Sequence, residues 1–247
     1  MTSTDLSDLQ AARPNDPLLT WRVDPEAITG LLVDGDHVAW IEPGLSGPEA
    51  WGVVLGDNPA RVVALLRALD EHRQLAGITV LDGLRAALPD EYVSHDAGGW
   101  SLWVLGEGGV QIGCDEAIAI DRGDPRIDEV LEHSTSSYLG AQSPRVVMWS
   151  GIERDGRLVA VAGVTREPSG AVQLVSVCAV PEVRGQGLAG QVCAHLIQRV
   201  GPVPAVVLEM YTANASAASL YRRLGFHEAQ RHSSGLIDSR RAPTPTP

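Results

Sequence analysis

The chain has 247 residues, 44% of them hydrophobic, which is enough to bury a core, so a wholly disordered protein is excluded. Its 31 Asp and Glu residues outnumber 19 basic residues, all of which are Arg, and the formal net charge is −12. Such an acidic surface lacks the basic face that nucleic-acid binders need and disfavours anionic membranes, whereas it attracts cations. Composition therefore predicts a positively charged small molecule or peptide as a partner, and neither nucleic acid nor a membrane.

The ends of the chain and its cysteines bear on the compartment. No apolar run approaches the roughly 20 residues of a membrane span, and the polar amino terminus lacks the regions of a signal peptide. Residues 1–18 and 238–247 have no apolar periodicity and are predicted to be flexible. Cys114, Cys178 and Cys193 are odd in number and far apart, which favours reduced, buried thiols over disulfides. None of the seven His residues shows a metal-ligand spacing, so we expect no metal. Because no membrane span and no signal peptide is predicted, we expect a soluble, cytoplasmic protein.

The first predicted domain spans residues 19–110 and combines short strands with one clear helix. The helix is predicted at 59–72, capped by Asn58, because apolar residues recur at i, i+3, i+4 and i+7. These core positions are Val62, Leu65, Leu66 and Leu69. Further short elements are predicted at 37–41, 51–55, 78–80, 83–88 and 100–105. Five of the six Trp residues lie here; they either line an apolar ligand pocket or supply bulk to a core with almost no Phe.

The second predicted domain, residues 115–237, is a mixed αβ succession of strands and helices. Strands are predicted at 117–121, 146–154, 158–165, 172–180, 205–211 and 229–237, with a tight hairpin turn at 155–156. Helices are predicted at 125–134, 188–200 and 214–224, the first capped by Asp124 and the last by Asn214.

A glycine-rich turn, Pro181–Gly190, follows the apolar strand and opens the second of these helices. Small residues there let an anion approach free backbone N–H groups, and the helix dipole adds favourable partial charge. The alternative is a plain loop before a glycine-rich helix. A third interpretation is the dinucleotide fingerprint, with glycines at 185, 187 and 190 and Glu209 as the ribose-binding acid. Four residues separate the strand from the first glycine, however, and too little chain follows to build that fold.

Two motifs together resemble the GNAT acetyltransferase superfamily. The first, Arg184–Ala189, matches Arg/Gln-x-x-Gly-x-Gly/Ala, the pyrophosphate loop for acyl-CoA. The second, Asn214–Phe226, is similar to the superfamily's carboxy-terminal helix and the turn after it. Order and separation agree, and the resemblance covers residues 115–237. It implies the GNAT fold, a mixed, mostly antiparallel sheet flanked by helices, and a transferase that uses acetyl-CoA and no metal.

The resemblance also assigns the cofactor site and the reaction. In the GNAT fold the strand before the glycine loop splays from the next strand, and its backbone binds pantetheine and the thioester. The residues so implied in cofactor binding are Val177, Cys178, Ala179, Arg184, Gly185, Gln186, Gly187, Leu188, Ala189 and Asn214. The acyl acceptor would be a primary amine of a cationic small molecule or of a peptide N-terminus. The alternative is a non-catalytic acyl-CoA sensor or assembly module, and the sequence leaves a homodimer open.

Acyl transfer to an amine needs a base for the amine and a proton donor for the departing thiolate. Tyr221 lies beside the core stripe of the last helix and is predicted to be the general acid, although a tyrosine there could serve packing alone. Glu209 lies in an apolar strand, where a charge is costly without a purpose. It matches the general base of a subset of the superfamily, while an outward-facing strand residue is the alternative.

The first domain repeats the order of elements seen around the cofactor loop and is predicted to be a degenerate GNAT-like copy. Residues 56–60 replace the loop, lack its Arg and paired glycines, and place an acid where phosphate would lie. We therefore expect this half not to bind CoA. An unrelated amino-terminal extension is the alternative.

Overall fold

The computed structural model describes residues 5–44, 49–92 and 98–237. These form two compact units: unit 1 holds the described parts of Met1–Ser101, Tyr211–Ala213 and Gln230–Pro247, and unit 2 holds Leu102–Met210 and Asn214–Ala229. The end of the carboxy-terminal strand belongs to unit 1, because it pairs with a strand about 150 residues earlier.

Unit 1 contains a mixed sheet. Its elements are α1 (Leu6–Ala12), α2 (Pro17–Trp21), β1 (Thr29–Asp34), β2 (His37–Pro43), β3 (Ala50–Leu55), α3 (Pro59–His72), β4 (Gly77–Leu81) and two 3₁₀ turns at Asp82–Ala87 and Asp90–Tyr92. The strands β1, β2 and β3 are antiparallel neighbours, and β4 runs parallel to β3. The chain's last strand, β11 (Phe226–Leu236), pairs antiparallel with β4 through its residues 232–236.

Helix α3 forms as predicted, since Asn58 accepts hydrogen bonds from the backbone N–H groups of Ala60 and Arg61. Its four predicted core residues are buried against β2, β3 and β4. The element predicted at 83–88 is a 3₁₀ turn, and β1 was not predicted.

The amino-terminal segment departs from its predicted flexibility within residues 5–18, where α1 lies and α2 begins. Asp5 and Asp8 form a capping box on α1, and Asp16 caps α2 ahead of Pro17. Leu9 is the fully buried residue of α1 and anchors the helix. With seven residues, α1 is too short to show a helical period of apolar residues in the sequence.

Unit 2 is a sheet with helices on both faces. Its remaining elements are β5 (Gly98–Leu105, whose first residues belong to unit 1), β6 (Ile118–Ile120), α4 (Pro125–Leu131), β7 (Val146–Arg154), β8 (Arg157–Arg166), β9 (Val172–Ala179), a 3₁₀ turn (Pro181–Val183), α5 (Leu188–Arg199), β10 (Val206–Tyr211) and α6 (Ala215–Arg223). Strands β6 to β9 are antiparallel neighbours, and β10 runs parallel to β9. The predicted mixed, mostly antiparallel sheet is confirmed, although α4 ends three residues earlier than predicted.

Two cores lie on opposite faces of this sheet. One joins β7, β8, β9 and β10 to α5 and α6, and the other joins β7, β8 and β9 to α4. The three cysteines are free thiols, of which Cys178 and Cys193 are buried. No helix in the described part of the chain is long and apolar enough to cross a membrane.

Substitution of Leu9 tests the packing of α1. We expect Leu9→Ala to lower the free energy of unfolding by about 2–5 kcal/mol, the usual cost of a cavity at a fully buried leucine. Leu6→Ala, in the same helix but only half-buried, is the matched control and should cost clearly less. Urea unfolding of both variants measures this. Equal effects would show that α1 does not pack as described.

Candidate active site

Strand β9 carries an irregularity at the residue before the predicted pantetheine strand. Ser176 has a positive φ of 51°, a left-handed conformation that non-glycine residues rarely adopt. The register with β8 shifts at the same place: Val161 pairs with Cys178, whereas Gly163 pairs with Val175. This is a β-bulge, held by the Ser176 hydroxyl, which donates to the Leu139 carbonyl at 2.6 Å. Sequence reasoning missed Ser176, because a serine inside a strand carries no signal for such a backbone.

Beyond the bulge, β9 loses its partner on the β10 side. The parallel pairing joins residues 172–174 of β9 to residues 206–208 of β10 and does not continue to the ends of the two strands. The Val180 N–H donates to the Val159 carbonyl on β8, and alternation along a strand then turns the N–H groups of Ala179 and Val177 to the opposite edge. The N–H of Cys178 faces β8 instead. Of the three strand residues predicted to bind cofactor, two thus present a backbone donor at the diverging edge.

The glycine loop forms a cradle of backbone donors. Gly185 and Gly187 have φ values of 81° and 82°, and a side chain added at either would meet only open space. In the described residues, the N–H groups of Gly185, Gly187, Leu188 and Ala189 have no acceptor. They lie at the N-terminus of α5, a 12-residue helix whose dipole favours an anion. These four predicted cofactor residues are thus brought together.

Two other loop residues predicted to bind the cofactor, Gln186 and Arg184, make hydrogen bonds within the protein. The Gln186 N–H donates to the Val183 carbonyl within the turn, so it is not offered to a ligand. The Arg184 guanidinium bonds the carbonyls of Ala179 and His133, at 3.1 and 3.0 Å. Arg184 therefore ties the loop to the end of β9 and to the residues after α4.

Tyr221 lies on α6, inside the core that α5 and α6 share. Its ring is 7% exposed and makes an edge contact with Phe226. Burial, with a smaller contribution from the Cys193 thiol, raises the pKa of Tyr221 well above its ordinary value. The phenol therefore keeps its proton across the range in which enzymes usually work.

A glycine allows the two helices to approach. A side chain added at Gly190 would lie 3.3 Å from Leu220, the residue before Tyr221. Gly190 completes the apparent dinucleotide fingerprint in the sequence, yet its position serves helix packing. Asn214 caps α6 by accepting the Ala217 N–H at 3.0 Å, as predicted.

Glu209 lies on the other face of the sheet from Tyr221. Its neighbours Leu208 and Met210 belong to the core of α5 and α6, and side chains alternate along a strand, so Glu209 points away from that core. The carboxylate is only half-buried. The diverging edge thus has a buried phenol on one side and a carboxylate on the other.

Residues 114–226 match the family model described as the acetyltransferase (GNAT) family. The chain contains a GNAT acetyltransferase domain. This domain coincides with most of unit 2, and it is the acetyltransferase domain that the two motifs predicted.

Solved structures share the fold over much more of the chain. A GCN5-related N-acetyltransferase from Kribbella flavida is 16% identical, covers 96% of each chain and has a TM-score of 0.54. One from Sphaerobacter thermophilus is 15% identical, covers 87% of this chain and 82% of its own, and has a TM-score of 0.55. A GNAT acetyltransferase from Colwellia psychrerythraea is 14% identical, with 96% and 98% coverage and a TM-score of 0.53. No curated protein matches the sequence significantly.

Gly187→Glu tests the cradle, since the new carboxylate would occupy and charge the anion site. At CoA concentrations of about 100 times Kd, wild type should gain roughly 2.7 kcal/mol of stability, and calorimetry should show one CoA per chain. Gly187→Glu should lose both. Gly156→Glu is the matched control, because Gly156 also has a positive φ and open surroundings but lies in a hairpin turn. Retained binding by Gly187→Glu would place the cofactor elsewhere.

Proposed function

We propose that the GNAT domain transfers the acetyl group of acetyl-CoA to a primary amine, on a cationic small molecule or a peptide N-terminus. The observation that carries the proposal is the continuity of backbone donors from the glycine loop to the diverging edge of β9. The loop offers four N–H groups to an anion, and Val177 and Ala179 offer two more along one edge. Acetyl-CoA has the matching sequence of groups: a diphosphate, then an amide-rich pantetheine arm, then a thioester.

Within this site each end of the donor row has a different task. The loop N–H groups neutralise diphosphate charge without a metal or a basic side chain, as helix N-termini do elsewhere. The N–H groups at the β9 edge fix the pantetheine amides and polarise the thioester carbonyl, whose oxygen gains negative charge as the amine attacks. The bulge at Ser176 aims these donors, and its strained backbone is the kind found at functional sites.

Tyr221 serves the leaving group. An amine attacks the thioester carbon, the C–S bond breaks, and the sulfur leaves as a thiolate that needs a proton. A phenol whose pKa is raised by burial stays protonated until that charge develops, and it then donates to sulfur. Because burial disfavours the tyrosinate, the phenol first stabilises the charge by hydrogen bonding and gives up its proton only as CoA departs. The tyrosinate then regains a proton from water.

Glu209 serves the acceptor. Primary amines are mostly protonated at neutral pH, so a base must take a proton before attack. The Glu209 carboxylate lies on the face of β10 opposite the Tyr221 core, and half-burial leaves it accessible. The amine would enter on the Glu209 face and the thiolate would leave on the Tyr221 face, which keeps the two proton transfers apart. The net charge of −12 favours a cationic acceptor. The three free thiols support a reducing, cytoplasmic compartment.

Unit 1 is proposed to be a degenerate GNAT-like copy that binds no CoA. At the start of α3, the position of its glycine loop, the His37 ring lies against Gly56, where an added side chain would clash with it. The His37 Nε2 atom accepts the Asn58 N–H at 3.0 Å, and Nδ1 bonds the Asp36 carboxylate at 2.7 Å. Asp36, His37 and Asp57 lie close enough together to hold a metal ion. In this structure both nitrogens of the His37 ring are instead hydrogen-bonded within unit 1. An internal imidazole thus occupies the place that an anion would need.

Tyr221→Phe isolates the proposed proton donor, because the ring and its contact with Phe226 remain. We expect kcat and kcat/KM to fall together by about 10² to 10⁴-fold, with acceptor KM almost unchanged. Tyr92→Phe, which removes a hydroxyl from another buried tyrosine in unit 1, is the matched control. Steady-state release of CoA thiol measures this. A near-normal kcat in Tyr221→Phe would mean that thiolate takes its proton elsewhere.

Glu209→Gln should lower turnover most at low pH. As the pH rises towards the pKa of the acceptor, about 8 for a peptide amino terminus and 10 for an alkylamine, more amine is already neutral and the base matters less. The ratio of wild-type to variant kcat/KM should therefore shrink with increasing pH. Glu129→Gln, an exposed glutamate on α4, is the control. A ratio that does not change with pH would leave Glu209 without a role as base.

A further inference from the structure

One face of the unit 1 sheet carries two tryptophans that lie flat. Register places Trp51 beside Gly77, and Gly77 beside Leu236, in one row across β3, β4 and β11. A side chain at Gly77 would clash with three carbons of the Trp51 six-membered ring, so the ring rests on the glycine backbone. Leu236, at the end of this row, is 39% exposed.

Trp100 repeats this arrangement on β5. Its ring stacks on the fully buried His232 ring, with centroids 4.2 Å apart and planes inclined by 17°. Trp51 and Trp100 are themselves only half-buried. One face of the Trp51 indole is covered by the Gly77 backbone and one face of the Trp100 indole by the His232 ring, and part of each side chain is exposed.

The two indoles are fixed by a shared polar centre. Trp51 Nε1 donates to Thr79 Oγ1 at 2.8 Å, and Trp100 Nε1 donates to Ser234 Oγ at 2.7 Å. The two hydroxyls bond each other at 2.6 Å. Both rings therefore have their polar edges turned inwards, and the surface they present is an apolar π surface. We call Trp51, Trp100, Thr79, Ser234 and Leu236 the indole platform.

An acidic side chain flanks the platform. Glu42 lies directly across from Trp51 in the antiparallel pair of β2 and β3, and so shares its face. Its carboxylate accepts the Trp40 Nε1–H at 3.0 Å, which holds it in place. A π surface attracts cations, tryptophan most strongly, and a nearby carboxylate adds to that attraction. A π surface beside a carboxylate disfavours anions for the same reasons.

We propose that the indole platform is a binding site for an organic cation, an amine with a flat apolar body. The ammonium group would lie over the Trp51 indole near Glu42, and the apolar body would cover Leu236 and the second indole. The class of ligand rests on the proposed transfer to a cationic amine, and it assigns unit 1 a role in recognising that substrate class. The residues of the platform all belong to unit 1, so their arrangement does not depend on the reaction proposed for the GNAT domain.

The test uses benzyltrimethylammonium, which has no N–H bond and cannot be acetylated, in calorimetric titrations of the full chain. The cation should bind, and benzylsulfonate, its anionic counterpart, should not. Gly77→Ala lifts the Trp51 ring without removing an aromatic residue, and it should weaken binding about ten-fold or more. Gly83→Ala, the same change at a glycine of unit 1 with nothing within 4 Å, should leave the affinity unchanged.

Trp100→Phe and Trp100→Leu give a second series. Phenylalanine keeps a ring over His232 and should bind the cation with intermediate affinity, while leucine should lose most of it. This series decides the outcome should Gly77→Ala fail to fold, and a retained CoA thermal shift shows that each variant is intact. The platform is refuted by no binding to wild type, by equal affinities in Gly77→Ala and Gly83→Ala, or by equal binding of benzylsulfonate. Absence of acetyl transfer to any amine, with cation binding intact, would refute the proposed function alone.

Discussion

The separation of β10 from β9 is the constraint on which the candidate site depends. Two parallel strands that stayed paired to their ends would satisfy each other's backbone groups and leave no donor for a ligand. Here pairing extends over three residue pairs, and the following N–H groups of β9 are left at an edge. An unsatisfied edge in the interior of a sheet is costly, so it persists only where the surrounding structure holds it and a ligand can complete it.

Hydrogen bonds from side chains of β9 and the glycine loop keep this edge of β9 in place. Ser176 bonds the Leu139 carbonyl, Cys178 the Val130 carbonyl at 3.3 Å, and Arg184 the His133 carbonyl. All three acceptors belong to α4 or the segment after it. The same bonds therefore fasten the bulged strand and the glycine loop to that part of the chain. They also explain why an arginine of the loop motif need not touch phosphate to be required there.

How far the sequence predicts this molecule depends on the range of the interactions concerned. Helices α3, α5 and α6 follow from local periodicity and caps, and the two motifs mark the positions of the glycine loop and of Tyr221 in the sequence. Ser176 could not be found, because its conformation is imposed by a register shift against β8. The pairing of β11 with β4 could not be predicted either, because it is a contact between distant parts of the chain. Asp5 and Asp16 are residue types that favour helix N-caps, but α1 and α2 are too short to show the apolar period that would predict a helix after each cap.

The N-terminus of α5 carries the proposed diphosphate cradle, and one turn later Gly190 sets how closely α6, which bears Tyr221, approaches. Because α5 is a rigid helix with a rise of about 1.5 Å per residue, the cradle and the packing contact with α6 keep a fixed separation. If acetyl-CoA binds as proposed, a thioester on a shorter or longer arm would hold its phosphates correctly and present its sulfur at the wrong place. The packing of α5 on α6 would then contribute to selectivity for the acyl carrier.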